Sequence, residues 1–165
     1  LDTGMLSPPV TETGLVFKPL YYEPFLAALP ADSPLTKYKQ VDLEVLAQGN
    51  LLLLEEGHCL RDQALAVCGQ SQPRNEEIKA TSLEMLRQMV ACGIGATLLP
   101  ALAAYSPAAN ARNDGRIVLR PFKTPAPGRR IALVWRNRTP LQETLEGLAR
   151  TLADNLPKGV TAIVE

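Results

Sequence analysis

The chain has no excess charge of either sign and no long apolar run. Lys and Arg total 17 against 17 for Asp and Glu, so no basic footprint for nucleic acid or an anionic membrane is present. No apolar run approaches the ~20 residues of a membrane-spanning helix, and we expect no membrane contact. With 165 residues, 46% hydrophobic and 21% charged, the composition is typical of a globular domain with one core or two small lobes.

Cysteine and histidine are also scarce: the chain has three cysteines and one histidine. An odd number of cysteines, with no visible signal peptide, favours a reducing compartment, so we expect a cytoplasmic protein. A metal site would need His58, Cys59, Cys68 and Cys92 together. The adjacency of His58 and Cys59 and the lack of a C-x-x-C pair argue against that site, and we expect no metal and no cofactor.

The most informative stretch runs from Glu55 to Cys68. It follows the apolar run Leu51–Leu54, which is typical of a buried strand, and Gly57 interrupts the chain before a helix-favouring segment. Cys59 is therefore predicted at a helix N-terminus, where unpaired N–H groups and the helix dipole favour a thiolate. His58 and Arg61 add positive charge nearby. The pattern predicts a reactive thiol at Cys59.

A second cysteine follows nine residues later, at Cys68. On a continuous helix the two would be about 13.5 Å apart along the axis. A disulfide needs Cα atoms about 4.4–6.8 Å apart, so a bridge requires the helix to unwind. The alternative is that both are ordinary packed thiols, since free cysteine packs as a small hydrophobe. Spacing alone leaves both interpretations open and slightly favours the packed thiols.

The segment from Thr81 to Glu84 has the pattern of a capping box, with the Thr81 hydroxyl predicted as the cap. The helix that it opens is predicted to run to about Cys92, which we expect to be a packed thiol. Gly93 fits the position just after the helix end. The side chains of one apolar stripe are predicted to face the core: Leu83, Leu86, Met89 and Val90.

Elsewhere the chain alternates between strand and helix patterns, which indicates an α/β fold. Strands are predicted at 15–20, 25–29, 116–120 and 129–136, with 21–24 as a break. Residues 69–77 and 105–113 are predicted loops, and 160–164 a short strand or frayed end. A helix is predicted at 141–156, with four leucines in the core: Leu141, Leu145, Leu148 and Leu152.

Three segments together resemble the hydrogen-peroxide-sensing members of the bacterial LysR-type transcription regulators. They are Glu-Glu-Gly-His-Cys-Leu-Arg-Asp-Gln-Ala at 55–64 with Cys68, Ala-Thr-Ser-Leu-Glu-Met-Leu-Arg at 80–87, and Leu-Leu-Pro-Ala-Leu-Ala at 98–103. The resemblance covers the C-terminal part of such a regulator. It does not extend to the DNA-binding helix-turn-helix or to the first part of the regulatory domain, which we expect to be missing from this chain. Because the chain also starts without Met, we expect a fragment.

The resemblance implies a regulatory domain of two Rossmann-like lobes, similar to periplasmic binding proteins, with an incomplete first lobe. Residues 1–22 with 129–165 would belong to lobe I, and residues 23–128, which carry the cysteines, to lobe II. A basic residue at the start of the strand at 129–136 would lie near the reactive cysteine. That residue would be Arg130, with Arg129 as a near-equal candidate.

The resemblance also implies a function. Hydrogen peroxide would oxidise Cys59 to a sulfenic acid, which would form a disulfide with Cys68, with His58, Arg61 and one of the two arginines in support. The change would reach the interface of a homodimer or tetramer, with helix 82–92 as an interface element, and activate antioxidant genes. Promoter DNA would be bound only through the missing N-terminal domain, and a glutaredoxin- or thioredoxin-type protein would be the reductant.

Two other classes of function remain open. A thiol peroxidase would use the same cysteine chemistry, but the chain has no Pro-x-x-x-Thr-x-x-Cys pattern around Cys59, and we expect no enzyme. A LysR-type domain that binds a small-molecule effector, with incidental cysteines, would use Thr81 and Ser82 to line its cleft.

Overall fold

The structure is a computed structural model that describes residues 2–8, 12–68, 79–107 and 115–163. The chain divides into two compact units. Unit 1 comprises Leu1–Pro24 with Gly128–Glu165, and unit 2 comprises Phe25–Pro127. The chain therefore passes between the units twice, at Pro24–Phe25 and at Pro127–Gly128. Strands and helices alternate within this framework, as an α/β fold requires.

Unit 1 is built on antiparallel strands. Strand β1 (Thr3–Leu6) pairs with β7 (Gly128–Arg136), and β7 pairs with the first part of β2 (Leu15–Pro30). The short strand β8 (Thr161–Ala162) also pairs with β2, and helix α5 spans Gln142–Asp154. The apolar run of β7 is buried from Ile131 to Trp135, as its sequence predicted.

Unit 2 holds the other part of β2 between β5 (Thr97–Pro100) and β6 (Ile117–Pro121), both antiparallel to it. A second, parallel pair consists of β3 (Leu53–Leu54) and β4 (Lys79–Ala80). The helices are a 3-10 turn at Pro34–Lys37, then α1 (Leu43–Gln48), α2 (Cys59–Cys68), α3 (Leu83–Ala91) and α4 (Ala101–Ala104). No helix in the described ranges combines the length and apolar character that a membrane crossing needs.

The core of unit 2 explains why these elements form. Leu51 to Leu54 are all buried, and Leu51 also bridges to Ala96 beside β5. Asp42 caps α1 through a hydrogen bond from the Glu44 N–H at 3.1 Å.

The predicted loop at 69–77 lies outside the described residues, as does most of the loop predicted at 105–113.

The predicted break at 21–24 is wrong, because β2 continues through these residues from Leu15 to Pro30. Tyr21 to Pro24 pair with Ile131 to Gly128 across the sheet. The Tyr22 ring lies so close to Gly128 that a Cβ there would be 2.5 Å from it. Pro24 does not end the strand, because a proline removes only its own backbone N–H as a donor. The next N–H, that of Phe25, donates to the Pro127 carbonyl at 2.9 Å. Partners distant in sequence therefore keep this strand extended.

The predicted apolar face of the C-terminal helix is only partly right. Of its four leucines, Leu145 is buried and Leu152 half-buried, whereas Leu141 and Leu148 are exposed at 43% and 40%. The helix begins at Gln142, so Leu141 precedes its first turn. Helical spacing of leucines shows which positions share a face, but the width of the buried stripe depends on the neighbouring sheet.

Candidate functional site

The two cysteines of the predicted switch lie at opposite ends of one helix. The turn before α2 contains Gly57 in the left-handed region, at φ +92°, which ends the approach from β3 and lets the helix begin at Cys59. Helix α2 then runs without interruption to Cys68. The predicted helix is confirmed, and its axial rise separates the two residues by about 13.5 Å. A disulfide between them requires part of α2 to unwind.

The environments of these two thiols are opposite. Cys59 and its neighbour His58 are exposed, so a small oxidant in water can reach this sulfur. Cys68 is 9% exposed and belongs to the core of unit 2. Burial raises the pKa of the Cys68 thiol, because the low-dielectric core disfavours the thiolate. The arrangement combines an accessible sulfur with a protonated one held inside the protein.

Arg61 lies in the first turn of α2, with its side chain 17% exposed. Its Nη1 donates to the carbonyl of Leu54, the last residue of β3, at 3.1 Å. Its Nη2 is 3.9 Å from Glu56 Oε1, and the same oxygen is 3.6 Å from Lys79 Nζ in β4. The guanidinium thus binds the strand and turn that precede the helix.

The Thr81–Ser82 segment begins α3. Ser82, not Thr81, is the cap: its hydroxyl accepts from the Met85 N–H at 3.2 Å. The Thr81 hydroxyl instead lies 3.6 Å from the Met85 sulfur, so the predicted cap was one residue too early. The error arose because Thr81, with Glu84 three residues later, fits the capping-box pattern, whereas Ser82 is followed at that spacing by Met85. Both side chains are exposed on unit 2.

The two candidate arginines lie in unit 1 and differ from each other. Arg129 Nε donates to Glu23 Oε2 at 2.8 Å, and the two residues are cross-strand partners of β7 and β2. Glu23 is only 1% exposed, so this pair satisfies a buried carboxylate. Arg130 is exposed and lies opposite Tyr22. Burial, followed by the Glu23 charge, raises the pKa of Tyr21, and Arg129 opposes that change.

Glu23 is a residue that the sequence reasoning missed. A carboxylate inside the apolar run from Leu20 to Leu29 was the signal, since such a charge is rarely buried without a partner. Its partner is 106 residues away, so only the fold identifies it.

Cys92 is exposed at the C-terminal cap of α3, so the prediction of a packed thiol is wrong. It lines a pocket of about 250 Å³ with Asp32 and Arg116. In the parts of the chain that the structure describes, no three His, Cys, Asp or Glu side chains are grouped closely enough to hold a metal ion.

Comparison with known proteins gives the family. Residues 1–157 match the LysR substrate binding domain. A hydrogen peroxide-inducible genes activator of Pectobacterium carotovorum is 41% identical over 157 residues, which are 94% of this chain and 51% of that protein. The DNA-binding transcriptional dual regulator OxyR of Escherichia coli K12 is 40% identical over 153 residues, 92% of this chain and 49% of that protein. The chain thus spans about half the length of these relatives.

A solved structure agrees with this result. The reduced form of the OxyR regulatory domain from Pseudomonas aeruginosa is 38% identical and superposes with a TM-score of 0.80. The match covers 94% of this chain and 73% of that one. This chain belongs to the LysR substrate-binding domain family and, within it, to the OxyR-type regulatory domains.

Proposed function

We propose that this chain is the redox-sensing part of a transcription activator, in which hydrogen peroxide converts Cys59 and Cys68 from two thiols into a disulfide. The observation that carries the proposal is the pair of cysteines at opposite ends of α2, one exposed and one buried. The names of the relatives, which are activators of hydrogen-peroxide-inducible genes, supply the oxidant.

The chemistry has two steps. The Cys59 thiolate attacks one peroxide oxygen, the O–O bond breaks, and the products are a sulfenic acid and hydroxide. The Cys68 thiol then displaces the sulfenic oxygen, which leaves as water while the S–S bond forms. The peroxide is reduced by two electrons, and both come from the cysteine pair. A dithiol protein of the glutaredoxin or thioredoxin type returns the two electrons in a reducing cytoplasm.

The helix converts this reaction into a signal. Because the two cysteines of an intact α2 are too far apart to bond, the second step removes helical residues from 59–68. Because Cys68 lies in the core of unit 2, the bridge also requires Cys68 to become accessible or Cys59 to move inward. We infer that the change reaches a homodimer or tetramer interface that includes α3, and that it repositions DNA-binding domains on promoter DNA. The two units correspond in this proposal to the two regulatory lobes.

The supporting residues have separate tasks in this scheme. His58, exposed beside Cys59, adds positive charge near the thiolate when it is protonated. The family resemblance adds an arginine at the start of β7 as a group that assists the departing oxygen, with Arg130 and then Arg129 as the candidates. The Arg129 guanidinium is paired with the buried Glu23 carboxylate.

The test is a disulfide map by mass spectrometry of the reduced chain after stoichiometric hydrogen peroxide. We expect a Cys59–Cys68 bridge in the parent and a trappable sulfenic acid on Cys59 in Cys68→Ala. Cys92→Ala is the matched control and should behave as the parent does. A Cys59 that stays a thiol in every variant would contradict the proposal.

The same experiment separates the sensor from a thiol peroxidase. A sensor consumes about one peroxide per protein and then accumulates as the disulfide, because its re-reduction is slow compared with the oxidation of Cys59. Rapid multiple turnover with a thioredoxin system, at a rate comparable with the oxidation of Cys59, would instead identify an enzyme.

A further inference from the structure

We propose that Arg61 is a positioning residue of the redox switch: its hydrogen bond to the Leu54 carbonyl holds the first turn of α2 against β3. It thereby controls how readily α2 unwinds. The inference rests on the proposed disulfide function and assigns to Arg61 a task different from support of the Cys59 thiolate. The contacts that carry it are those of the Arg61 clasp, which we define as Arg61, Glu56, Lys79 and the carbonyl of Leu54.

The anchor of the clasp is firmly held. Leu54 is 4% exposed and pairs with Ala80 in the parallel β3–β4 sheet. The next residue, Glu55, donates its N–H to the Ala80 carbonyl at 3.0 Å. Arg61 therefore binds a carbonyl that is held in the β3–β4 sheet and does not move with the helix when the helix opens. Unwinding of α2 from its N-terminal end must break the bond between Arg61 and Leu54.

Helix α2 has few other fully buried contacts. Its buried residues are Leu60, Ala64 and Cys68, and only Leu60 among them is a large hydrophobic side chain. Leu65 and Val67 are partly buried against the core, but both lie in the second half of the helix. The charge-assisted hydrogen bond of Arg61 therefore acts together with Leu60 to hold the first turn.

The members of the clasp differ in strength. The Arg61 bond to Leu54 is partly buried and charge-assisted, and such bonds are the stronger class. The Glu56 side chain is 80% exposed, and its contacts of 3.9 Å to Arg61 and 3.6 Å to Lys79 are screened by water. Removal of Arg61 should therefore have a large effect, and removal of Lys79 a small one.

The experiment measures the Cys59–Cys68 equilibrium in a thiol–disulfide buffer for the whole 165-residue chain. Because Arg61 stabilises the reduced, helical state, Arg61→Met should shift the equilibrium about tenfold toward the disulfide. This corresponds to a potential about 30 mV more negative. Arg61→Lys, which keeps the charge but lacks the planar fork, should shift it in the same direction. Lys79→Met is the matched control and should change it less than about twofold.

A second measurement separates the clasp from thiolate support. In a Cys68→Ala background, where only the sulfenic acid forms, Arg61→Met should leave the rate of Cys59 oxidation within about twofold of the parent. A rate that falls tenfold with Met and recovers with Lys would overturn the proposal and return Arg61 to a role at the thiolate.

A third measurement does not depend on peroxide. In the reduced protein, Arg61→Met should increase hydrogen exchange of the α2 amides about tenfold while those of α3 stay unchanged. Equal exchange in parent and variant would refute the clasp even if the parent forms no Cys59–Cys68 disulfide. A parent that forms no disulfide, but in which Arg61→Met speeds exchange, would instead refute only the proposed redox function.

Discussion

Helices α2 and α3 follow each other in unit 2 and have similar lengths, but they are stabilised in different ways. Helix α3 starts with the Ser82 side-chain cap and ends with Gly93 in the left-handed region at φ +75°. It buries Leu86, Arg87, Met89 and Val90. Helix α2 buries Leu60 and two small residues, Leu65 and Val67 are only partly buried, and its first turn is tied to β3 by Arg61.

This difference indicates which of the two helices can unwind first. A helix with signals at both ends and three large apolar side chains in the core is hard to open. A helix with one fully buried large side chain, others only partly buried and a tether in its first turn can unwind at a lower free-energy cost. The cysteines lie on the second kind of helix, which is what a disulfide that requires unwinding needs.

The largest expected effect is in hydrogen exchange of the reduced protein. Because α3 buries two more large apolar side chains than α2, at ~1.5–3 kcal/mol each, its amides should exchange at least about a hundredfold more slowly. Exchange monitored by NMR or mass spectrometry measures both helices in one sample. Equal protection of 60–68 and 84–91 would remove the basis of the comparison.

The next effect is a core truncation in α3. Leu86 is 2% exposed, so Leu86→Ala should lower the free energy of unfolding by about 2–5 kcal/mol. Leu148→Ala is the control, since Leu148 is 40% exposed on α5 and its loss should change stability by no more than about 0.5 kcal/mol. Urea denaturation gives both values. A similar loss in the two variants would show that Leu148 packs against something in solution.

A smaller effect tests the corrected cap of α3. Ser82→Ala removes the hydroxyl that accepts from Met85, and should lower the free energy of unfolding by ~1 kcal/mol. Thr81→Ala removes only a contact with the Met85 sulfur and should cost about half of that or less. If thermal or urea denaturation ranks the two variants in the reverse order, the cap belongs to Thr81.

The smallest effect is a pH dependence that arises from Cys68. Burial raises the pKa of this thiol in the folded protein above its ordinary value of 9.0. At pH values between the unfolded and the folded pKa, the folded state therefore binds more protons than the unfolded state. The contribution to stability is complete below the unfolded pKa and is lost as the pH rises through the folded pKa. Between about pH 7 and pH 10, the parent should lose more unfolding free energy than Cys68→Ala. Equal losses would mean that Cys68 titrates as an exposed thiol.

Local signals predicted much of unit 2. Gly57 and Gly93 are positions where one residue decides the backbone, so the start of α2 and the end of α3 followed from the sequence. The continuous β2 strand did not, because the pairing of Tyr21–Pro24 with β7 outweighs the turn preference of the prolines. The cap of α3 did not follow either, because the capping-box pattern fits Thr81 whereas the Ser82 hydroxyl makes the hydrogen bond.

The sequence by itself determined the family, the pair of cysteines and the helix that separates them, because these depend on residue identity and on spacing along the chain. Tertiary structure decided that Cys59 is exposed and Cys68 buried, and that Arg61 donates to Leu54. It also decided that Arg129 pairs with Glu23, which is 106 residues away in the chain. Burial and hydrogen-bond partners depend on which distant segments pack together, and no local pattern encodes that choice.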